Sequence, residues 1–282
     1  MKITDEIPTL TIVVAVYNIE NYIRECLDSI LCQDYTDYEL IIIDDGSTDS
    51  SGDICDSYAG EHVRVIHTEN RGLSEARNAG FDVSRGKYIL FVDGDDVMIR
   101  GQLKKIMLKV VDSNAPITTF HIDAFNNETG EVIDLGYGYN AGIIRTGTKS
   151  QVVEELLYRE CVAWSTEANV FSCDLIRRNR LRFRTEAYGV EDCKFYLDAV
   201  KVCNSFAYAD ISLMKYRQNR SGSIMQTPNL IKHEARSRAY TEWIEYANEL
   251  IAYDGHGDGI RKRMGDAFFY NVIQMYTPQS DE

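Results

Sequence analysis

An α/β fold, with a mostly parallel central sheet sandwiched between helices and a helical C-terminal extension, is what this 282-residue sequence predicts. Three observations carry that expectation. Short runs of apolar, largely β-branched residues recur through the first hundred positions, stretches of helical spacing separate them, and acidic or polar residues gather where the runs end. Strands that are apolar throughout are buried on both faces, the condition of a parallel sheet between helix layers.

The elements follow in order. Leu10–Val16 is a β-branched run bounded by polar residues and reads as a buried strand. Tyr22, Ile23, Cys26, Leu27, Ile30 and Leu31 then recur at helical spacing. Glu39–Ile43 is a second buried strand, closed by Asp44-Asp45-Gly46-Ser47, and Ser47 and Thr48 offer caps for a helix running to about Tyr58. Val63–Ile66 is a third strand, a helix spans about Ser74 to Val83, and Lys87–Val92 is a fourth strand. After residue 100 the pattern loosens. A helix near 101–113 precedes a partly alternating strand from Pro116 to Phe125, and 126–148 is rich in Gly and Tyr turn signals. Helical patterns return near 149–160 and 190–202, with a strand-like Phe206–Tyr216 after them. The tail, about 229–275, reads as two helices with Tyr240, Trp243, Ile244, Ala247, Leu250 and Ile251 on one face. That face either packs against the domain or docks on a membrane surface or partner.

Composition narrows the class. An apolar share of 44% excludes a disordered chain, which lacks the surface to offset ordering entropy. The first hundred residues hold 20 Asp and Glu against 8 Lys and Arg, so most of the net charge of −14 lies there. Such a region repels a phosphate backbone, which argues against nucleic acid as a partner. The seven cysteines include no C-x-x-C pair and sit mostly in apolar runs, as reduced buried thiols do. Met1–Pro8 lacks a signal-peptide pattern and no apolar run reaches about 18 residues, so the expected location is cytoplasmic, with peripheral contact at the inner face of the membrane as an option.

The chemistry collects at the strand ends. The first strand delivers Tyr17-Asn18, the second Asp44-Asp45, and the fourth Asp93-Gly94-Asp95-Asp96. In open α/β sheets ligands bind beyond those ends. Carboxylates converging on one crevice repel, by about 4 kcal/mol per pair at ~4 Å and an effective dielectric of ~20. Mg²⁺ or Mn²⁺ removes that cost, and a nucleotide diphosphate completes the ligand set of such an ion.

Four motifs in order, Val14-Ala15-Val16-Tyr17-Asn18, Ile43-Asp44-Asp45-Gly46-Ser47-Thr48-Asp49, Gly72-Leu73-Ser74-Glu75-Ala76-Arg77-Asn78-Ala79-Gly80 and Phe91-Val92-Asp93-Gly94-Asp95-Asp96, resemble the family-2 glycosyltransferases with the GT-A (Rossmann-like) fold. The resemblance covers nearly all of residues 8–100. It implies a UDP-sugar donor and inversion at the sugar carbon. Carried over, it has Ala15 and Tyr17 line the base, Asp45 accept from the pyrimidine N–H, and Arg77 lie near the base or diphosphate. It has Asp93 bind the ribose hydroxyls and Asp95 ligate the metal, while Asp96 assists or caps the following helix.

The family also places a Glu-Asp pair at a helix start in the later half, and Glu191-Asp192 fits that pattern. Direct displacement needs one carboxylate to take the acceptor hydroxyl proton. Asp192 is the first choice for that base and Glu191 the alternative; both residues would also simply favour a helix N-terminus. Trp164 would stack on an acceptor sugar or sit in the core. Tyr216–Ile224 resembles a family loop that would cover the donor with Arg217 or Arg220 near the diphosphate. Residues 101–160 match no family motif, which leaves the acceptor open. The run Arg177, Arg178, Arg180, Arg182, Arg184 would meet an anionic acceptor at a membrane face or form a solvated surface.

The implied organisation is a GT-A domain over 1–225, with a nucleotide-binding half at 1–100 and an acceptor half at 101–225, and a helical extension at 226–282. The implied reaction moves a hexose or N-acetylhexosamine from a UDP-sugar to a saccharide or lipid-linked acceptor in envelope or exopolysaccharide synthesis. A nucleotide-sugar-binding protein or a nucleotidyltransferase of similar fold is the alternative. A dinucleotide oxidoreductase is disfavoured, because Gly136-Tyr137-Gly138-Tyr139-Asn140-Ala141 is not placed between a strand and a helix.

Overall fold

The computed structural model of the protein describes residues 7–133, 142–144, 165–187, 189–220, 230–255, 258, 261–262 and 265. Apolar runs become strands where neighbours bury both faces. β1 (Leu10–Val16) lies between β2 (Tyr38–Asp44) and β4 (Tyr88–Asp93), parallel to both, and β3 (Val63–His67) continues the sheet beside β2. Along β1, Ile12, Val14 and Val16 join the apolar cluster beneath α1 (Ile23–Leu31), α2 (Ser51–Asp56) and α4 (Leu103–Ser113). Val13 and Ala15 face the opposite cluster under α3 (Leu73–Asp82). That double burial is why these strands carry no polar alternation.

The order β3-β2-β1-β4 sets the site. The chain runs outward from β1 to β3, then crosses back to β4 on the other side of β1. The strand ends of β1 and β4 therefore flank the point where the topology reverses, the usual ligand crevice of such sheets. Ala15 is in register with Asp93 there, and with Ile43 on the other side.

The second half of the sheet mixes directions. β6 (Ile117–Asn126) and β10 (Phe206–Gln218) are parallel, while β9 (Asn169–Ser172) is inserted antiparallel between β4 and β6. Short strands β5 (Val97–Met98), β7 (Val132–Ile133) and β8 (Gly142–Ile144) pair antiparallel at its margin. β9 and the helix that follows it, α5 (Cys173–Asn179), come from a stretch to which sequence pattern assigns no element. Four residues are too few to show a period. The helix expected near 149–160 and Trp164 lie outside the described residues.

Ser47 and Thr48 do not cap α2, which starts at Ser51. Ser47 instead accepts from the Asn18 amide through Oγ, and the Thr48 amide donates to Asn18 Oδ1, so both residues tie the β2 end to the β1 end. α6 (Glu191–Val202) and α7 (Leu230–Asp254) close the molecule over the α3 face. Trp243, Ala247 and Leu250 are buried in the same cluster as Phe195 and Phe91, with Tyr240 and Ile244 against it, so the apolar face of the tail packs on the domain. Of the two tail helices expected, α7 is the first and ends at Asp254; Gly255 follows at φ 82°, the described residues beyond it (Asp258, Arg261, Lys262 and Gly265) are helical, and the rest lie outside the described residues. No helix among the described residues is long and apolar enough to cross a membrane.

Candidate active site

The base of the crevice is made by tight loops at the ends of β1 and β2. Asn18 takes a left-handed conformation (φ 51°), which presents its side-chain oxygen to the Thr48 amide at 2.7 Å. Asp44 accepts from the Ser47 amide and faces His67, whose other ring nitrogen faces Asp56; the two carboxylates hold the imidazole more basic than usual. Asp45 is buried and accepts from the amides of Arg71 (3.0 Å) and Gly72 (2.7 Å) and from the Thr68 hydroxyl (3.2 Å). Its carboxylate thus holds the loop between β3 and α3, a part the sequence did not reveal. Ala15 is buried, with its carbonyl accepting from the Gly94 amide, and Tyr17 is 48% exposed at the rim. A Cβ at Gly94 would stand 3.0 Å from the Ala15 oxygen and 2.6 Å from Ile19, so only glycine lets the β4 end approach β1 this closely.

The acidic wall follows β4. Asp93, Asp96 and Glu167 each offer a carboxylate oxygen, all within 4.8 Å of one another. Glu167 accepts from the Asp93 amide at 2.5 Å, and Asp96 accepts from the Arg217 amide at 2.7 Å through Oδ1. The Asp96 Oδ2 is buried and no N–H or hydroxyl donor among the described residues reaches it, while the Asp96 and Glu167 carboxyls lie close enough to share a proton. Burial first, and then the neighbouring charges, push the carboxyls of Asp96 and Glu167 well above the ordinary range, and raise Asp95 as well. So many buried carboxylates ionise together only beside a cation. A buried oxygen that no such donor reaches, amid hard ligands, fits Mg²⁺ or Mn²⁺, so this triad could hold a divalent ion. Asp95, the metal ligand expected from sequence, stands beside this triad and forms an ion pair with Arg220.

Arg217 is buried beneath that wall. It donates to the Asp95 carbonyl, to Asn127 and to Glu25, and its guanidinium lies over the rings of Tyr22 and Phe125. It therefore braces the acidic loop from behind.

The opposite wall is the start of α6. Glu191 and Asp192 occupy its first turn, and Asp192 Oδ1 accepts from the Thr166 hydroxyl and from Arg77 Nη1, both at 2.7 Å. Arg77 Nη2 donates to Asp93 at 2.6 Å, and Glu191 lies 3.8 Å from Nη1. The Arg77 side chain is 0% exposed, whereas the Asp93 and Asp192 side chains are 27% and 23% exposed. Arg77 is thus neither a surface arginine nor open to the crevice; it lies wholly between the two acids. Burial raises the Asp192 carboxyl to about 7 against the opposing pull of Arg77. A carboxyl poised there can hold or release a proton near neutrality.

The structure therefore brings Asp93, Asp95, Arg77, Glu191 and Asp192 together and leaves Ala15, Tyr17 and Asp45 at the adjoining β1 and β2 ends. Glu167 and Thr166 were missed. Their only signal is a short polar stretch, Ser165-Thr166-Glu167, ahead of an apolar segment. The arginine run is largely paired within the chain. Arg178, Arg182 and Arg184 meet Asp174, Asp82 and Asp198, and Arg177 donates to the Ser84 carbonyl.

Comparison with known proteins adds three findings. The family model described as glycosyl transferase family 2 matches residues 11–179. The glycosyltransferase EpsJ of Bacillus subtilis (strain 168) is 32% identical over 257 residues, covering 89% of this chain and 71% of that protein. The poly(ribitol-phosphate) beta-glucosyltransferase of Bacillus spizizenii is 30% identical over 235 residues, covering 78% of this chain and 34% of that one. Among solved structures, S. aureus TarS 1–349 in complex with UDP-GlcNAc superposes with a TM-score of 0.71 at 19% identity, covering 94% of this chain and 73% of that one.

Proposed function

Because the chain belongs to glycosyl transferase family 2 and is a glycosyltransferase with the GT-A fold, we propose that it moves a sugar from a UDP-sugar, with inversion, to a saccharide or lipid-linked acceptor in envelope or exopolysaccharide synthesis. One observation carries the reading. A carboxylate poised near neutrality, Asp192, stands across the crevice from the strand-end acids Asp93 and Asp95, with one buried arginine between the walls. The donor is supported by the TarS neighbour, which was solved with UDP-GlcNAc, and transfer to a polymer by the relative named a poly(ribitol-phosphate) beta-glucosyltransferase.

The nucleotide lies along the ends of β1, β2 and β4. Ala15 and Tyr17 line the base; Asp45, whose oxygens hold the β3–α3 loop, retains a lone pair for the pyrimidine N–H; Asp93 meets the ribose. Asp95, with Asp93, Asp96 and Glu167 beside it, would hold Mg²⁺ or Mn²⁺, which when bound supplies Lewis-acid stabilisation to the departing diphosphate. Asp192 takes the acceptor hydroxyl proton as that oxygen attacks the anomeric carbon. The bond to UDP breaks on the opposite face, and the proton remains on the carboxyl. Glu191, in the same first turn of α6, is the alternative base.

A thermal-shift series with UDP, with and without Mn²⁺, tests the donor assignment. Metal-dependent stabilisation by UDP is expected, and its absence overturns the assignment. Asp192→Asn should lower transfer by about 10²–10⁴-fold while UDP stabilisation is kept. Unchanged turnover moves the base elsewhere.

A further inference from the structure

We propose that Arg77 is a positioning residue that never touches the donor and instead locks the base carboxylate of Asp192 to the donor-side carboxylate of Asp93. The inference rests on the reading of Asp192 as the base. The Arg77 side chain has no exposed surface, so a nucleotide cannot reach it without rearrangement of the site. Its two terminal nitrogens divide between the walls, Nη1 to Asp192 at 2.7 Å and Nη2 to Asp93 at 2.6 Å. The Nε–H is buried without an acceptor among the described residues, so the terminal nitrogens make its hydrogen bonds. Below it the guanidinium packs over the Phe183 ring at 5.2 Å. The same helix face is tied down by Ser74 to the Arg184 carbonyl and by Asn78, which donates to the Phe183 carbonyl and accepts from the Phe183 amide.

A planar fork of this kind fixes two carboxylates in direction as well as in distance. Asp192 and Asp93 come from elements 99 positions apart in sequence, on α6 and β4. Only a rigid bridge keeps a base on one wall aligned with a donor held on the other. A lysine carries the same charge but offers a point charge rather than a fork, so it cannot hold both acids in orientation. Arg77→Lys therefore separates positioning from charge.

The test measures UDP release from UDP-N-acetylglucosamine and UDP-glucose with Mn²⁺, where water attacks in place of the acceptor hydroxyl, gives its proton to Asp192 and takes the sugar, alongside UDP affinity by thermal shift, for wild type, Arg77→Lys, Asp192→Asn and the double variant. Arg77→Lys should lower kcat by about 10²-fold, the size expected of a base misplaced by ~1 Å. UDP affinity, which senses only the Asp93 end of the fork, should fall by less than about tenfold, and adding Arg77→Lys to Asp192→Asn should change kcat at saturating donor by no more than about twofold, because the effect on turnover runs through that carboxylate. A fall in UDP affinity that matches the fall in kcat overturns the proposal in favour of a donor contact. Multiplicative effects in the double variant overturn it in favour of independent action. Unchanged kcat in Asp192→Asn refutes the base reading itself, a separate result that removes the premise. Should Arg77→Lys not fold, Arg77→Gln joined to Glu191→Gln, which conserves the local charge, is compared with Glu191→Gln alone by the same criteria.

Discussion

Replacing Gly80 by alanine sets two opposing effects against each other, and the structure decides between them. In an ordinary helix interior, alanine is favoured over glycine by about 1 kcal/mol. Gly80 faces β1, however, where a Cβ would stand 2.3 Å from Val13 Cγ1, 3.1 Å from Cγ2 and 3.3 Å from Cβ. Carbon atoms pack at about 3.5–4.0 Å, so the first contact overlaps by more than ~1 Å. Rotating Val13 exchanges one methyl for the other. Moving it sideways is blocked by Ile41 and Phe91, its register partners on β2 and β4. The helix must therefore lift, and overpacking of that kind costs about 1–3 kcal/mol. An overlap this large belongs at the upper end of that range, about 2–3 kcal/mol, so a net loss of about 1–2 kcal/mol remains after the helix-propensity gain. At roughly 2–4 °C per kcal/mol for a chain of this size, Tm should fall by about 2–8 °C. Arg77 is one turn earlier on the same helix, so UDP release should fall as well. Gly60→Ala is the control, since its Cβ would meet only the Tyr58 carbonyl at 3.8 Å and should leave Tm unchanged within about 1 °C. A Gly80→Ala protein melting at or above wild type refutes the packing argument.

Two further outcomes follow from the site. With the Asp192 carboxyl raised to about 7, its base form is depleted below that pH and predominates above it, so UDP release should rise by roughly tenfold between pH 6 and pH 8. A rate that stays flat from pH 5.5 to 8 in the wild type refutes Asp192 as the titrating base. Asp45→Ala removes the acceptor of two backbone amides and one hydroxyl, so calorimetric melting should show a loss of about 2 kcal/mol in addition to the loss of UDP-dependent stabilisation. An apo protein of unchanged Tm would show that the β3–α3 loop holds without that carboxylate.

The sequence by itself determined what depends on local pattern. Double burial writes apolar runs into β1, β2 and β4, so these strands were legible within a residue or two. The acids at their ends were legible because turns beyond parallel strands place them at the crevice. Glu191-Asp192 was visible as an acidic pair at a helix start. Tertiary structure alone decided the rest. β9 has four residues and takes its place between β4 and β6 from partners fifty or more positions away, which no short-range period encodes. Arg77 has the spacing of an ordinary helical residue, and only the arrival of α6 encloses it between Asp93 and Asp192. Glu167 likewise becomes part of the acidic wall through β9's register beside β4. The acidity of the first hundred residues pointed to a cation, but the carboxylates that crowd together are fixed by strand pairing across the sheet. Periodicity is local, whereas the meeting of charges is set by which elements pack.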